Sequence, residues 1–235
     1  MISVCIATFN GEKYIKEQIE SIIPQLAEND EIIISDDKSS DNTVSVVKSL
    51  MSPFVHIFIN EGEHGYTPNF ENAIKYAKGE YIFLCDQDDV WYPNKVRMCM
   101  ELFKAYDFII SDADIIDGDG RKIGDSFYKE RKSRAGLVNN IVRFSYLGCC
   151  MAFKREILHK AMPFPPNHKF CTHDNWLALV GMFFFRSVVV RDKLIHYRRH
   201  GGNVSSGGMK NTTSMLFKIR YRLYLIKWLI LRLLK

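Results

Sequence analysis

The sequence predicts an α/β fold in which a mainly parallel sheet is flanked by helices. Short apolar stretches alternate with amphipathic stretches through the first 105 residues. The stretch at 31–35 contains three consecutive isoleucines, which is typical of a strand that is covered on both faces. Polar clusters directly follow three of the apolar stretches. In sheets of this kind ligands bind at the carboxyl ends of the strands, so these clusters are expected to share one crevice.

The first half contains four strand–helix units in order. Strands are predicted at 2–7, 31–35, 54–59 and 80–85, and helices at 12–23, 42–51, 69–78 and 93–105. Pro24 helps to stop the first helix, Asp41 is a candidate N-cap of the second, Gly79 ends the third and Pro93 begins the fourth. This alternation implies parallel strands that are joined by helical crossovers.

The second half is less regular. Strands are expected at 108–116, 147–153 and 187–190, and a buried helix is expected at 174–184. The basic stretch at 126–134 and the glycine-rich and serine-rich stretch at 200–209 are predicted to be flexible loops. The final stretch at 215–235 is apolar with interspersed lysines and arginines, and it predicts a helix that is imperfectly amphipathic.

Composition indicates a globular protein in a reducing compartment. The chain has 235 residues, of which 47% are hydrophobic, so it can bury a core of its own. None of the six cysteines forms a CxxC pair, and Cys5 and Cys85 lie inside apolar stretches. We therefore expect buried reduced thiols rather than a zinc site or a disulfide framework. The strand-like start is unlike a secretory signal, which favours a cytoplasmic location.

Charge is distributed unevenly along the chain. The net charge is +5, yet no acidic residue follows Asp192, while ten lysines and arginines do. An acidic body therefore carries a basic tail, and such a tail favours an anionic partner: nucleic acid, a lipid surface or a phosphorylated substrate. Nucleic acid is the least favoured of the three, because the aromatic and base-reading motifs that it requires are not organised here.

A carboxylate cluster follows the strand at 80–85. Asp86, Asp88 and Asp89 would repel one another unless a cation or hydrogen-bond donors compensate. Oxygen-rich sites of this kind suit Mg²⁺ or Mn²⁺, which bridge carboxylates and substrate phosphates. The alternative is a solvated turn in which Asp89 caps the following helix.

Three further clusters have both a structural and a functional interpretation. Asp36 and Asp37 end the second strand, where they either form a turn or accept an N–H group from a pyrimidine. Asp174 lies where a helix begins, so it is either a first-turn residue or a general base. The stretch at 196–200 is either a solvated strand end or a set of imidazole and guanidinium groups for a metal ion or phosphate.

Taken together and in this order, these clusters resemble family 2 glycosyltransferases with the GT-A fold. The matching stretches are 3–11, 34–41, 79–82, 86–91, 173–176 and 197–203. The resemblance implies an inverting, metal-dependent transferase that moves a sugar from a nucleoside-diphosphate donor to a hydroxyl group of an acceptor. It also implies a nucleotide-binding half (1–105) and an acceptor-binding half (106–209) within one domain (1–209), followed by a basic hydrophobic helix (210–235).

The resemblance also assigns a role to each matching residue. Asp37 corresponds to the carboxylate that reads the nucleobase, with Asp36 beside it, and Ala7 and Phe9 correspond to the lining of the base pocket. Asp174 corresponds to the catalytic base.

The residues around the donor diphosphate are assigned in the same way. Asp86 faces the ribose and the metal ion, and Asp88 binds the Mn²⁺ or Mg²⁺. His200 completes the metal or pyrophosphate site, together with Arg198 or Arg199, of which we favour Arg199.

Two departures from the family pattern mark a subgroup. The chain has His173 before Asp174 where many members have glutamate, and residues 68–71 contain no arginine where many members have Ala-Arg-Asn. The overall pattern resembles rhamnosyltransferase-like members that build bacterial surface polysaccharides such as O-antigen or capsule. The donor remains open between UDP-linked hexoses or N-acetylhexosamines and dTDP-rhamnose, and the acceptor is expected to be a saccharide on a lipid pyrophosphate.

The basic helix at the end of the chain has two interpretations. A helix with six basic residues is not expected to cross a bilayer, so we expect it to lie on the inner, anionic face of the plasma membrane. Alternatively, it packs on the body of the protein or on another subunit of a homo-oligomer.

Two other functions are alternatives to the transferase. A sugar-phosphate nucleotidyltransferase would need a glycine-rich loop with a basic residue, and residues 8–12 do not form one. A noncatalytic, membrane-docked binding module would bind nucleotide or glycan without turnover.

Overall fold

Alternating strands and helices build the first half around a parallel sheet. The computed structural model describes residues 1–203 and 214–234. The elements of the first half are β1 (Ile2–Thr8), α1 (Ile15–Ile22), β2 (Glu31–Asp36), α2 (Thr43–Ser49), β3 (Val55–Ile59), α3 (Tyr66–Tyr76) and β4 (Tyr81–Asp86). Strands β1 and β2 are almost entirely buried, as their continuous apolar sequences predict. Helix α1 covers the sheet with Ile15, Ile19 and Ile22, which recur at helical spacing and are fully buried.

The second half extends the same sheet. Its elements are β5 (Val90–Trp91), α4 (Lys95–Leu102), β6 (Phe108–Ile116), β7 (Lys122–Gly124), α5 (Phe127–Arg131), α6 (Leu137–Val142), β8 (Met151–Lys154), α7 (Leu158–Ala161), α8 (His173–Phe184), β9 (Ser187–Arg198) and α9 (Met215–Leu233). The strand order is β3-β2-β1-β4-β8-β6-β9-β5, and β7 pairs with β6. The pairs β1–β2, β1–β4, β2–β3 and β6–β9 are parallel. This architecture confirms the predicted α/β class.

The structure corrects the sequence prediction for the stretch at 126–134. It was expected to be a mobile loop, but α5 occupies most of it. The hydroxyl of Ser126 accepts the N–H of Lys129 and thereby caps the helix, and the carboxylate of Asp112 on β6 accepts the N–H of Tyr128. Phe127 is buried beneath this turn. The basic residues that suggested a loop therefore project from a short, well-anchored helix.

Several element boundaries also differ from the predictions. Helix α3 begins three residues earlier than expected, because Pro68 is tolerated in the first turn of a helix. The strand expected at 147–153 is reduced to β8, since 148–150 form a 3₁₀ turn. The strand expected at 187–190 continues to Arg198, because its second part pairs with both β6 and β5. Most of the loop predicted at 200–209 lies outside the described residues.

Helix α9 packs on the body through one face. Leu225 and Leu229 are buried, and the hydroxyl of Tyr224 accepts the N–H of Asn167. The guanidinium of Arg232 lies over the ring of Trp176 on α8, with 5.7 Å between the guanidinium carbon and the ring centroid. Helix α9 therefore packs on the body of the protein, which is one of the two interpretations of its sequence. No described helix is both long enough and apolar enough to cross a membrane.

Candidate active site

Strands β2, β1 and β4 end level with one another. In the register of the sheet, Thr8 lies opposite Asp36, and Ala7 lies opposite Asp86. The polar residues that follow the three strands therefore reach the same edge of the sheet, as expected for carboxyl ends of parallel strands. The candidate site is built along this edge.

Asp36 and Asp37 are buried and fix the loops around the end of β2. The carboxylate of Asp36 accepts hydrogen bonds from the hydroxyl of Thr8 at 2.9 Å and from that of Ser39 at 2.6 Å. The carboxylate of Asp37 accepts the side-chain N–H of Asn60 and the backbone N–H of Gly65, each at 2.8 Å. Gly65 has a φ of +126°, a conformation that favours glycine. Asp37 therefore holds the loop that leads into α3.

The loop after β1 is joined to the loop after β4 by one side chain. The amide of Gln87 accepts the backbone N–H of Phe9 at 2.9 Å and donates to its carbonyl at 3.0 Å. Gly11 lies against the same amide, because a Cβ there would fall 2.2 Å from Gln87 Oε1. The ring of Phe9 remains 48% exposed at the edge of the sheet, beside the half-buried Ala7. A base could stack on this ring.

Asp88 and His200 meet although they are far apart in the sequence. The distance between Asp88 Oδ2 and His200 Nε2 is 2.8 Å, and Asn203 Nδ2 donates to the same oxygen at 3.0 Å. The imidazole of His200 packs on the ring of Tyr14, with 4.8 Å between centroids. The turn after β9 is thus tied to the loop after β4.

The half-buried Asp86 and the buried Asp89 form the deeper part of the same cluster, beside the thiol of Cys149. Ligand atoms of these three residues lie within 4.8 Å of one another. Burial, followed by the charges of Asp88 and Asp174, raises the pKa of Asp86 to about 7. Burial and the two neighbouring carboxylates also raise the pKa of Asp89. Burial is the larger cause of both shifts, and the neighbouring carboxylates add to it.

These residues fit a divalent cation. Asp89 Oδ2 is buried and has no hydrogen-bond partner among the described residues. Carboxylate oxygens from Asp86 and Asp88, with the imidazole of His200, form a donor set that suits Mn²⁺ or Mg²⁺. A cation held by these groups would offset their negative charge and that of the neighbouring Asp89.

Two buried cations support this cluster: Arg198, which the sequence offered as the alternative to Arg199, and Lys95, which the sequence did not single out. Arg198 donates from Nε to the carbonyl of Asp88 at 2.7 Å and from Nη2 to the carboxylate of Glu17 at 2.6 Å. Its backbone N–H donates to the carboxylate of Asp89 at 2.9 Å. Lys95 donates to the carbonyl of Cys149 at 2.9 Å and is almost completely buried. Burial and long-range partners decide for Arg198 and identify Lys95, which no local motif indicates.

Arg199, which the sequence favours over Arg198, contacts Tyr197 rather than the loop of Asp88. Its guanidinium is half-buried and approaches the hydroxyl of Tyr197 at 3.4 Å. Arg198 and Arg199 point to different surroundings because they are consecutive residues at the end of an extended strand.

Asp174 lies in the first turn of α8, near the carboxylate cluster. Its carboxylate accepts the hydroxyl of Thr172 and the backbone N–H of Asn175, the latter at 2.8 Å, so its orientation is fixed. Its negative charge contributes to the raised pKa values of Asp86 and of Tyr66, which is raised to about 12 mainly by burial. The start of α8 thus faces the carboxyl edge of the sheet.

The neighbouring His173 is held as a neutral imidazole. Burial lowers its pKa to about 4, and neither ring nitrogen has a partner among the described residues. The ring stacks on Phe70 at 4.1 Å between centroids. Gly148 lies against it, since a Cβ there would fall 2.5 Å from His173 Nε2. The backbone N–H of His173 donates to the hydroxyl of Thr67, which ties α8 to α3.

The structure thus brings together, along one edge, residues from several separate stretches of the chain. Those singled out from the sequence are Ala7, Phe9, Asp36, Asp37, Asp86, Asp88, Asp89, Asp174, Arg198 and His200. Arg199, which was also singled out, contacts Tyr197 instead. Residues added by the structure are Gln87, Lys95 and Cys149.

Comparison with known proteins identifies the family. The model described as Glycosyl transferase family 2 matches residues 3–161, which is more than half of the chain. The chain belongs to glycosyl transferase family 2. The matched region contains the aspartates that follow β2 and β4, and Asp174 and His200 lie beyond it.

Two curated bacterial relatives are named for the transfer of a sugar. The Escherichia coli UDP-Glc:alpha-D-GlcNAc-diphosphoundecaprenol beta-1,3-glucosyltransferase WfgD is 29% identical and covers 72% of this chain and 66% of its own length. The Shigella flexneri dTDP-rhamnosyl transferase RfbG is 28% identical and covers 92% of this chain and 77% of its own length. The chain thus spans about two thirds to three quarters of the length of these relatives. RfbG agrees with the rhamnosyltransferase-like pattern noted above.

Solved structures show the same fold. The S. aureus protein TarS (1–349) in complex with UDP-GlcNAc superposes with a TM-score of 0.72 at 20% identity, and the match covers 96% of this chain and 66% of that one. The mannosyltransferase PcManGT from Pyrobaculum calidifontis, in complex with GDP-Man and Mn²⁺, has a TM-score of 0.62 at 17% identity and covers 99% of this chain and 72% of its own. At these identities the likeness supports the GT-A fold.

Proposed function

We propose that the protein transfers a sugar, with inversion, from a nucleoside-diphosphate donor to a hydroxyl group of a saccharide acceptor. One observation carries the proposal: Asp86 lies between two groups from distant parts of the chain. Asp88, which contacts His200, is on one side, and Asp174 at the start of α8 is close enough to raise the pKa of Asp86. A group for the donor diphosphate and a group for the acceptor proton therefore flank the same space. Residues 1–105 would bind the nucleotide, and residues 106–209 would bind the acceptor.

The donor would lie across the carboxyl ends of β1, β2 and β4. The exposed ring of Phe9 and the neighbouring Ala7 would line the base, while Asp37 would read its edge and Asp36 would hold the surrounding loop. RfbG is named for a dTDP-sugar and WfgD for a UDP-sugar, which supports a UDP- or dTDP-linked donor here.

Asp86, Asp88 and His200 would hold a Mn²⁺ or Mg²⁺ ion, and a neighbour of the same fold was solved with Mn²⁺. When bound, the ion would neutralise negative charge on the donor diphosphate and on the departing nucleotide. Arg198 would help to position Asp88, because its guanidinium donates a hydrogen bond to the backbone carbonyl of that residue. Arg199, the neighbour of His200, would contact the pyrophosphate.

Asp174 would act as the general base. Thr172 and Asn175 orient its carboxylate, which would accept the proton of the acceptor hydroxyl as that oxygen attacks the anomeric carbon. A bond from the acceptor oxygen to the anomeric carbon forms while the bond from that carbon to the donor phosphate breaks. His173 remains neutral and, stacked on Phe70, keeps the start of α8 in place.

A nucleotide panel tests this proposal. Thermal unfolding is measured with UDP-, dTDP- and GDP-sugars, with and without Mn²⁺. We expect one base to raise the melting temperature, and to do so more strongly with Mn²⁺, because a ligand that binds only the folded state stabilises it. Release of the nucleoside diphosphate in the presence of an acceptor then reports transfer. Nucleotide binding without any turnover would favour a noncatalytic binding module instead.

We further propose that the acceptor is linked to a lipid diphosphate and that α9 lies on the anionic cytoplasmic face of the membrane, in the synthesis of a surface polysaccharide. Apolar residues form a stripe on the outward face of α9 at helical spacing: Leu216, Ile219, Leu223, Ile226 and Ile230, all exposed. Arg220 and Lys227 are exposed beside this stripe. The helix contains no acidic residue that could pair with these cations in a second copy, which favours an anionic lipid surface.

Replacing Leu223 by Glu should weaken binding to phosphatidylglycerol vesicles by at least about tenfold. The change removes an exposed leucine that would enter the lipid interface, and it adds a negative charge that the anionic lipids repel. Vesicle co-sedimentation measures the bound fraction. Ile123→Glu is the matched control, since Ile123 is equally exposed on β7, away from this helix. Equal binding of wild type and L223E contradicts the membrane proposal, and a dimer that dissociates in L223E would assign the stripe to a second copy.

A further inference from the structure

A cationic groove lies on the α9 side of the second half, apart from the carboxylate cluster. It has a volume of about 430 Å³ and lies between the segment at 131–144 and helix α9. Four basic side chains line it: Arg131, Arg143, Lys218 and Arg222. The lining residues, all of which are described in the structure, include no aspartate or glutamate. A groove with this lining attracts an anion.

The groove brings positive charges close to one another. Burial lowers the pKa of Arg131, and the charge of Arg143 lowers it further. Arg222 donates from Nη2 to the carbonyl of Val142 at 2.6 Å, whereas its Nε is buried and has no partner within residues 1–203 and 214–234. Buried donors are normally satisfied, so this one indicates a missing acceptor. A phosphate group would provide oxygens for several of these donors at once.

The groove also adjoins the candidate catalytic base. Tyr221, which lies on its α9 wall, is close to Asn175 and Asp174, and its pKa is raised by burial and by the charge of Asp174. Phe144 and Phe217 provide apolar surface at the same groove. The outward stripe of α9 lies on another face of the helix that forms this wall. A ligand in the groove would therefore have its charged part near the start of α8 and its apolar part near the proposed lipid surface.

We propose that this groove binds the diphosphate ester of a lipid-linked acceptor and so presents the acceptor sugar to Asp174. The inference rests on the proposed function, because it assigns a place to the acceptor of that reaction. It adds a binding site for the acceptor phosphates that is separate from the site of the donor phosphates at Asp88 and His200.

The test uses decyl diphosphate, at concentrations below micelle formation, as the probe. Isothermal titration of the full chain is carried out with saturating UDP and Mn²⁺, so that the nucleotide site is occupied. We expect binding by the wild type, and an increase in Kd of at least about tenfold in the double variant Arg143→Gln/Lys218→Gln, because two charge-assisted contacts are lost. Both residues are at least partly exposed, so the variant should fold.

The control is Lys48→Gln/Arg191→Gln, which removes the same net charge from exposed positions outside both the groove and helix α9. It should bind decyl diphosphate as the wild type does. Equal Kd values for the groove variant and the control overturn the proposal, as does binding only to phosphatidylglycerol vesicles or competition between decyl diphosphate and UDP. If UDP binds normally but decyl diphosphate does not, the groove proposal fails and the transferase proposal stands. If UDP does not bind at all, both fail.

Discussion

Replacing Asp174 by Asn is expected to lower the turnover number of sugar transfer by roughly 10²–10⁴-fold, the usual contribution of a general base. Asparagine keeps the size of the side chain and its oxygen can still accept the N–H of Asn175. It cannot accept the proton of the acceptor hydroxyl. The measurement is the initial rate of nucleoside diphosphate release at saturating donor and acceptor. The affinity for the nucleotide, measured by titration, should stay close to that of the wild type.

Asp192→Asn is the matched control for this variant, because Asp192 is an exposed aspartate on β9. It should retain full activity. A variant D174N with nearly normal turnover would show that another group removes the proton, and the role assigned to the start of α8 would then be wrong. Loss of nucleotide affinity together with turnover would instead indicate that the variant disturbs the donor site.

Replacing Asp88 by Asn should lower kcat/KM for the donor by roughly 10²–10³-fold, because a charged ligand for the cation is lost while donor diphosphate charge must still be stabilised. The amide can still contact His200, so folding should be preserved. Binding of Mn²⁺, followed by electron paramagnetic resonance, should weaken in parallel with activity. Chelation of the metal by EDTA should lower the activity of the wild type in the same way, and Mn²⁺ should restore it.

The control for the cluster is Asp119→Asn, in the exposed turn after β6. It should bind Mn²⁺ as the wild type does. If D88N bound Mn²⁺ with unchanged affinity, the ion would lie with the deeper pair Asp86 and Asp89 beside Cys149, and the contact between Asp88 and His200 would be structural.

Local sequence patterns were sufficient for most of the fold. The isoleucine run of β2 and the helical spacing of Ile15, Ile19 and Ile22 are features of neighbouring residues, so they can be read without the structure. The helix at 127–131 was missed because its stability depends on Asp112, which is distant in sequence and pairs with the first turn of the helix. A composition rich in lysine and arginine carries no sign of that partner.

The candidate site was predictable only in part for the same reason. Carboxylates at strand ends are visible in the sequence, and the parallel sheet brings them together. Arg198 and Arg199 are adjacent and chemically equivalent, so the choice between them depends on which side of β9 faces the carbonyl of Asp88. Lys95 is identified by its burial beneath the cluster, which no pattern around residue 95 indicates. The role of the 430 Å³ groove required both α6 and α9 to be in place.

The double hydrogen bond between Gln87 and the backbone of Phe9 has a consequence for donor choice. It joins the surface proposed for the base to the acidic turn after β4, so a shift of one loop would be transmitted to the other. Enzymes evolved or designed from this scaffold to accept a different nucleotide would have to rebuild residue 87 together with the loop at 9–11. Changes confined to the base side alone would displace the carboxylates and reduce turnover before any new preference emerged.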